Sequence, residues 1–344
     1  MPLTRRRLLA ATAAAGALAV TPLRAQSALP VKMILNWRYQ GPQGWFFLAQ
    51  DRGYFADAGV EMTLDQGSGS GAAVGSVAGG GYDMGFGDIN ALIQLAAENP
   101  GAAPIGVYMM YNRPPFTVAV MADSDIHDAK DLEGRKLGGA ANDGALKLWP
   151  AFAEVAGIDA SGVEILNFQP NLREQMLRTR QVEGVFGYVN TIRFSAMLSG
   201  MDPDKEIRFI NYGDYGMDLY SNALIVSKAL AAEKPEQVRG VVAAINQGVK
   251  DTLADPDAAI EAVYRRESLI DKPVEKARLF ATLQDEMGHP EIARLGLGMP
   301  DPARLKSSID LVVNANRLSR TPSPEEIFTD AFLPPMADRI TALG

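Results

Sequence analysis

A short pattern occurs twice in this chain at matched spacing. Gly59-Val60-Glu61-Met62-Thr63-Leu64 returns as Gly162-Val163-Glu164-Ile165-Leu166. Gly81-Tyr82-Asp83-Met84-Gly85-Phe86 returns as Gln181-Val182-Glu183-Gly184-Val185-Phe186. The landmark acids lie 22 residues apart in the first copy (Glu61 to Asp83) and 19 in the second (Glu164 to Glu183). Around them, apolar runs alternate with helical periodicity. Val31–Leu35, Val60–Leu64, Asp83–Phe86 and Ile105–Met110 read as strands. Trp45, Leu48, Ala49 and Arg52 fall at i, i+3, i+4 and i+7, so 44–52 reads as a helix, as does 89–98. Lys136–Gly138, a helix over 145–156 and strands near 162–166 and 181–186 repeat the scheme. Strand–helix alternation predicts parallel sheets with helices on both faces. The expected fold is α/β, two doubly wound lobes joined by two crossover segments.

The boundaries follow from turn chemistry. Asn112-Arg113-Pro114-Pro115-Phe116-Thr117 is a stiff crossover, because its two prolines fix the backbone. A return over 212–218, rich in glycine and tyrosine, leads to re-entry at Asn222–Ser227. The first lobe is then 29–112 plus 219–344, and the second is 117–212. The remainder is helical. Asp255-Pro256, Asp301-Pro302 and Ser323-Pro324 each set an N-cap before a proline at the first helical position. These helices are expected to buttress the first lobe.

Residues 1–25 read as an export leader. Thr4-Arg5-Arg6-Arg7-Leu8-Leu9 is basic, and a 13-residue apolar run, Leu8–Val20, follows. That run is too short to span a bilayer core of ~30 Å. Ala25 offers a small residue at the cut. The arginine pair resembles a twin-arginine signal, with an ordinary Sec signal as the rival. The expected location is the periplasm. With 33 Lys+Arg against 41 Asp+Glu the chain carries −8, and loss of the four leader arginines takes it to −12. Such acidity argues against nucleic acid as a partner. The absence of cysteine excludes disulfides and thiolate chemistry, and His127 and His289 are the only histidines.

In doubly wound sheets ligands meet the carboxyl ends of strands. The loops there are aromatic and polar. Candidate ligand-binding residues are Asn36, Trp37, Tyr39 and Gln43 after the first strand, and Ser68 and Ser70 after the second. Asp88 and Asn90 follow the third, and Tyr111 lies near the crossover. From the second lobe come Asn142, Asp143, Tyr188, Asn190 and Arg193, with Tyr215 near the return. Aromatic faces can sandwich a flat ring while amides and a carboxylate fix its edge. Other readings stay open: Trp37 as core, Asp88 and Asn190 as helix caps, and Gly67–Gly71 as simple close packing. Gly67-x-Gly69-x-x-Ala72 fits a dinucleotide fingerprint only loosely, and it follows the second strand rather than the first. No cofactor and no metal site are assigned. Arg38, Arg113 and Arg193 keep an anionic ligand in play. No hydrolase elbow, zincin or Walker motif is present, so the chain is expected not to be an enzyme.

Leu35-Asn36-Trp37, Gly53-Tyr54-Phe55-Ala56-Asp57-Ala58-Gly59-Val60, Gly81–Gly85, Asp131-Leu132-Glu133-Gly134-Arg135-Lys136-Leu137-Gly138 and Tyr188-Val189-Asn190 together resemble the periplasmic solute-binding proteins of ABC importers. The branch is that of the thiamine-pyrimidine precursor, nitrate, sulfonate and taurine binders. The resemblance implies a type II periplasmic binding fold, a monomer, and hinged closure on a small solute. It further implies delivery to an inner-membrane ABC permease and its ATPase. The expected solute is an aromatic N-heterocycle such as a thiamine pyrimidine precursor. A sulfonate-, nitrate- or taurine-type anion is the alternative, and an exported enzyme on the same scaffold is the rival class. The chain departs from the pyrimidine binders in lacking a histidine near Gln43. It also has Thr191-Ile192-Arg193 where they carry an acid. The related fungal enzyme relies on a cysteine-rich motif, which this chain lacks.

Overall fold

The computed structural model describes residues 28–343. The leader expected over 1–25 lies outside them. Ten strands form two five-stranded sheets: β1 (Leu29–Ile34), β2 (Val60–Asp65), β3 (Met84–Asp88), β4 (Ile105–Met109), β5 (Phe116–Met121), β6 (Lys136–Gly139), β7 (Glu164–Asn167), β8 (Gly184–Tyr188), β9 (Ile207–Asn211) and β10 (Asn222–Val226). The first sheet has the order β2-β1-β3-β10-β4 and the second β7-β6-β8-β5-β9. The orders are the same once β6, β7, β8, β5 and β9 are set against β1, β2, β3, β10 and β4. The repeated sequence pattern is thus a repeated topology.

The sheets are mixed rather than wholly parallel. β1 runs parallel to β2 and β3, but β10 runs antiparallel to β3 and β4. In the second sheet β5 runs antiparallel to β8 and β9. The physical reason lies in the crossovers. β5 arrives from the first sheet and β10 from the second, each entering from the end where the sheets face one another. Each antiparallel strand, fourth in its sheet order, is therefore supplied from across the cleft. The strands β3, β8 and β10 are buried throughout, as runs flanked on both faces must be.

The marked helix starts occur where the N-caps place them. Asp255 accepts from the Ala258 amide, and Asp301 from those of Ala303 and Arg304. Ser323 and Glu326 form a reciprocal capping box. The helix Pro235–Ala254 packs its buried face on Gly44–Asp51 of the first lobe, where Gly248 allows close approach: a Cβ there would lie 2.4 Å from the Trp45 carbonyl oxygen. Gly67 serves the same end, since a Cβ would lie 1.9 Å from the Leu35 carbonyl oxygen. The Gly/Ser loop therefore lies flat against the end of β1. Among the described residues, no helix is long and apolar enough to cross a membrane.

Candidate functional site

The carboxyl ends of β1, β3, β6 and β8 converge between the sheets. Tyr188 ends β8 and reaches across. Its hydroxyl lies 2.8 Å from Ser70 Oγ at the start of helix Ser70–Ala78 and 2.9 Å from Ser221 Oγ, and it donates to Asn222 Oδ1 at 3.1 Å. Asp88 ends β3 and caps helix Ile89–Glu98. Its Oδ1 accepts from the Asn90 amide and from Asn90 Nδ2, while its buried Oδ2 has no partner. Gly144 makes this convergence possible. A Cβ there would stand 3.0 Å from Ser70 Oγ and Tyr188 Oη and 3.2 Å from Asp88 Oδ2. Phe116 supports Tyr188 edge-on at 5.5 Å.

Two adjoining cavities lie here, each leaving about 20 Å³, room for about one water. The first is lined by Asn36, Trp37, Gly69, Ser70, Asp143, Arg173, Tyr188 and Thr191. The second shares Asn36, Trp37, Tyr188 and Thr191 and adds Gln43, Tyr111, Arg278, Thr282 and Glu286. Asn36 Oδ1 accepts from Gln43 Nε2 at 2.9 Å, which fixes both amides on one wall. Asp88 and Asn90 are buried just behind Ser70 and Tyr188. Asn190 faces the helical turn Thr282–Met287, with Nδ2 3.4 Å from Asp285 Oδ2.

Several sequence candidates lie elsewhere. Arg193 pairs with Asp204 and stacks over Phe209 on the outer side of the second sheet. Helix Val189–Leu198 buries Ile192 and Ala196 inward, which turns Arg193 away from the cleft. Tyr215 ends the turn Tyr212–Tyr215 and accepts from the Ala129 amide, while Tyr212 takes the buried position and stacks on Phe152. The Tyr39 hydroxyl folds back to the Leu64 carbonyl, and its ring lines an outer groove with Ser68. Asn142 and Ser68 share a separate outer recess with Phe168. Arg173, Arg278 and Glu286 were not legible as site residues. Each sits in a helix pattern that reads as ordinary amphipathic surface. The available signal was an acid set between Leu283 and Met287, two residues of one apolar face.

Charge is distributed unevenly. Arg278 is nearly fully buried and binds Glu275 through Nε and Nη2 at 3.0 and 3.2 Å. Its Nη1 donates to the Thr191 carbonyl of the second lobe at 3.3 Å. Arg173 pairs with Glu174 at 2.9 Å, 5.8 Å from the Trp37 ring. Both guanidiniums are thus matched by a neighbouring carboxylate. Three further buried acids line or back the cleft. Burial pushes Asp88 up to about 7, against the two Asn90 hydrogen bonds that favour its charge. Burial also raises Asp143, opposed chiefly by Arg173. Glu286 is pushed up to about 8 by burial and by Asp285, against an Asn190 hydrogen bond and Arg278. Burial holds Tyr188 and Tyr111 as neutral hydroxyls. Among the described residues, no group of three or more His, Asp or Glu side chains converges as metal ligands.

A cleft between two like α/β sheets, lined by aromatic and amide side chains, is the architecture of the periplasmic binding proteins. The chain belongs to the NMT1/THI5-like family, which it matches over residues 43–259. It is 24% identical over 339 residues to the riboflavin-binding protein RibY of Chloroflexus aurantiacus, covering 94% of this chain and 91% of that one. It is 22% identical over 254 residues to the 4-amino-5-hydroxymethyl-2-methylpyrimidine phosphate synthase of Aspergillus parasiticus, covering 72% and 73%. The alkanesulfonate-binding protein SsuA of Xanthomonas axonopodis pv. citri, solved with MOPS, shares the fold. Its TM-score is 0.67 at 15% identity, over 87% of this chain and 98% of that one. The expectation that the chain is not an enzyme is overturned here. Relatives from Aspergillus parasiticus, Legionella pneumophila and Schizosaccharomyces pombe all bear the name of a synthase. The motifs lacking in the sequence are those of hydrolases and metalloenzymes, and these relatives are named for a different chemistry.

Proposed function

We propose that this protein is a periplasmic receptor that captures a small, flat, amino-bearing nitrogen heterocycle between its lobes and presents it to an inner-membrane ABC permease. The observation that carries the reading is the charge balance of the cleft. Asp88, Asp143 and Glu286 are buried there, while Arg173 and Arg278 are already engaged by Glu174 and Glu275. A sulfonate or nitrate would lose its hydration beside carboxyls that burial favours in the neutral form, with the guanidiniums already engaged, at a high desolvation cost. A neutral or cationic ring with N–H donors would satisfy them. The names of the pyrimidine-synthase and riboflavin-binding relatives point to heterocycles as well.

With each cavity holding about one water, entry of a ring requires the lobes to part. The crossovers 112–117 and 212–218 are where such a hinge would turn. The test is a thermal-shift and calorimetric panel of 4-aminopyrimidines, riboflavin and alkanesulfonates. A heterocycle at 100 times its Kd should stabilise the protein by about 2.7 kcal/mol. Stabilisation by sulfonates alone would refute the reading. Loss of heterocycle uptake from cells lacking the protein tests the transport role.

A further inference from the structure

We propose that Arg278 latches the two lobes together in the ligand-free protein, so that solute entry waits on an opening event that this side chain controls. The inference goes beyond the choice of ligand and holds for any solute that needs the lobes to part. Arg278 lies on helix Lys272–Ala281, which runs into the turn of π geometry Thr282–Met287. The helix is seated closely on the first lobe. In the turn Gly41–Gln43 that follows β1, a Cβ at Gly41 would lie 2.0 Å from the Glu275 carbonyl oxygen. The Gly41 amide donates to Glu275 Oε2 at 2.7 Å, and the same carboxylate holds Arg278 through Nε and Nη2. The rest of the guanidinium faces the second lobe. Nη1 donates to the Thr191 carbonyl, and the guanidinium carbon stands 5.4 Å from the centre of the Phe194 ring. Thr191 and Phe194 belong to helix Val189–Leu198, which packs on helix Lys272–Ala281.

Opening would break these contacts with little return. Glu275 already neutralises the guanidinium, so exposure to water recovers little charge hydration. A charge-assisted hydrogen bond and a desolvated ring contact are lost in exchange. Their position adds leverage. Tyr188 also bonds across the cleft, but it pairs with Phe116 at the start of β5, directly beside the crossover. A hinge at 112–117 and 212–218 would move Tyr188 little. Thr191 and Phe194 lie on a helix leading away from that point, so the same rotation carries them further from Arg278. Arg278 also lines the cavity with Asn36, Trp37 and Tyr188, so solute and latch occupy adjoining space.

The chain has no cysteine, so an introduced pair can be spin-labelled without background. Leu269→Cys, on the loop before helix Lys272–Ala281, and Met197→Cys, near the end of helix Val189–Leu198, replace exposed residues on opposite lobes. The experiment measures the distance between the labels by double electron–electron resonance, without ligand. With Arg278 in place the pair should show one short distance. Arg278→Lys keeps the charge but lacks the fork that reaches Glu275 and Thr191 together. It should raise the open-to-closed ratio about 10–100-fold, which takes a state about 1% populated to about 10–50% and brings in a second, longer distance. Phe194→Leu leaves the Arg278–Glu275 pair intact and removes only the ring on the second lobe, and it should raise the ratio about tenfold. A bracing role confined to the first lobe would lower Tm in Arg278→Lys and leave one short distance in both variants, and that result overturns the latch. So does a labelled pair already far apart while Arg278 and Phe194 are intact. Should Arg278→Lys fail to fold, Phe194→Leu decides: an unchanged distance distribution overturns the proposal. No outcome here depends on which solute binds, so the heterocycle reading stands or falls separately by its own panel.

Discussion

Asp88 sets a measurable relation between pH and stability. Burial raises its carboxyl to about 7 in the folded protein, whereas an unfolded aspartate titrates near its ordinary value of about 3.9. Between those values the folded state holds a proton that the unfolded state has lost. Stability therefore falls as pH rises through this window, by about 1.4 kcal/mol per unit, and levels off above the folded value. From pH 5 to 7 the loss from this one group is about 2 kcal/mol. With an unfolding entropy of roughly 2 cal/mol/K per residue, that is about 3 °C in Tm. Asp88→Asn keeps an oxygen to accept from the Asn90 amide and cannot titrate. The assay is denaturant unfolding of both proteins at pH 5, 6, 7 and 8. The variant should gain on wild type by about 2 kcal/mol across pH 5–7 and run parallel to it above pH 8. His289, lowered by burial, opposes the trend because it loses stability as pH falls, but it is present in both proteins and cancels. Exposed acids such as Asp125 and Asp131, lowered by their hydrogen-bond partners, act only in more acid solution. Parallel curves from pH 5 to 8 would refute the assignment of a neutral, desolvated Asp88.

Three further substitutions probe the cleft. Tyr188→Phe removes a hydroxyl that touches Ser70, Ser221 and Asn222, so it should cost about 1–3 kcal/mol by denaturant unfolding. Gly144→Ala drives a methyl between Ser70 and Tyr188. It should cost about 1–3 kcal/mol by denaturant unfolding, and an unchanged stability would contradict the close approach. Arg193→Ala breaks the outer pair with Asp204 and the stack over Phe209. It should cost less than about 1 kcal/mol and leave heterocycle affinity within about twofold by calorimetry.

The strands were legible because their apolar runs are bounded by glycine, and the repeated Gly-Val-Glu and Asp-Met-Gly-Phe signals fall at or beside β2, β7, β3 and β8. The antiparallel placing of β5 and β10 was not. Strand direction within a sheet depends on where the chain enters from, which local periodicity does not encode. Within the cleft, Asn36, Trp37, Ser70, Asp143 and Tyr188 come together because strand ends fix their position. Arg193 read like its neighbour Asn190, but one helix face separates them once Ile192 and Ala196 are buried. Glu286 and Arg278 stayed hidden because the packing of distant helices, rather than any motif, brings them to the cavity. The π geometry of Thr282–Met287 leaves no mark that sequence periodicity can register.

The position of β10 has a consequence for biosynthesis. It lies between β3 and β4, yet it is translated only after the whole of the second sheet. A ribosome releasing this chain therefore exposes β3 and β4 with their inner edges unpaired until residues 222–226 emerge. Open strand edges invite pairing with other chains. The second sheet, contiguous from β5 to β9, is free to assemble first. A nascent chain stalled before Asn222 would carry one finished sheet and one split in two, and chaperone capture should concentrate on that interval.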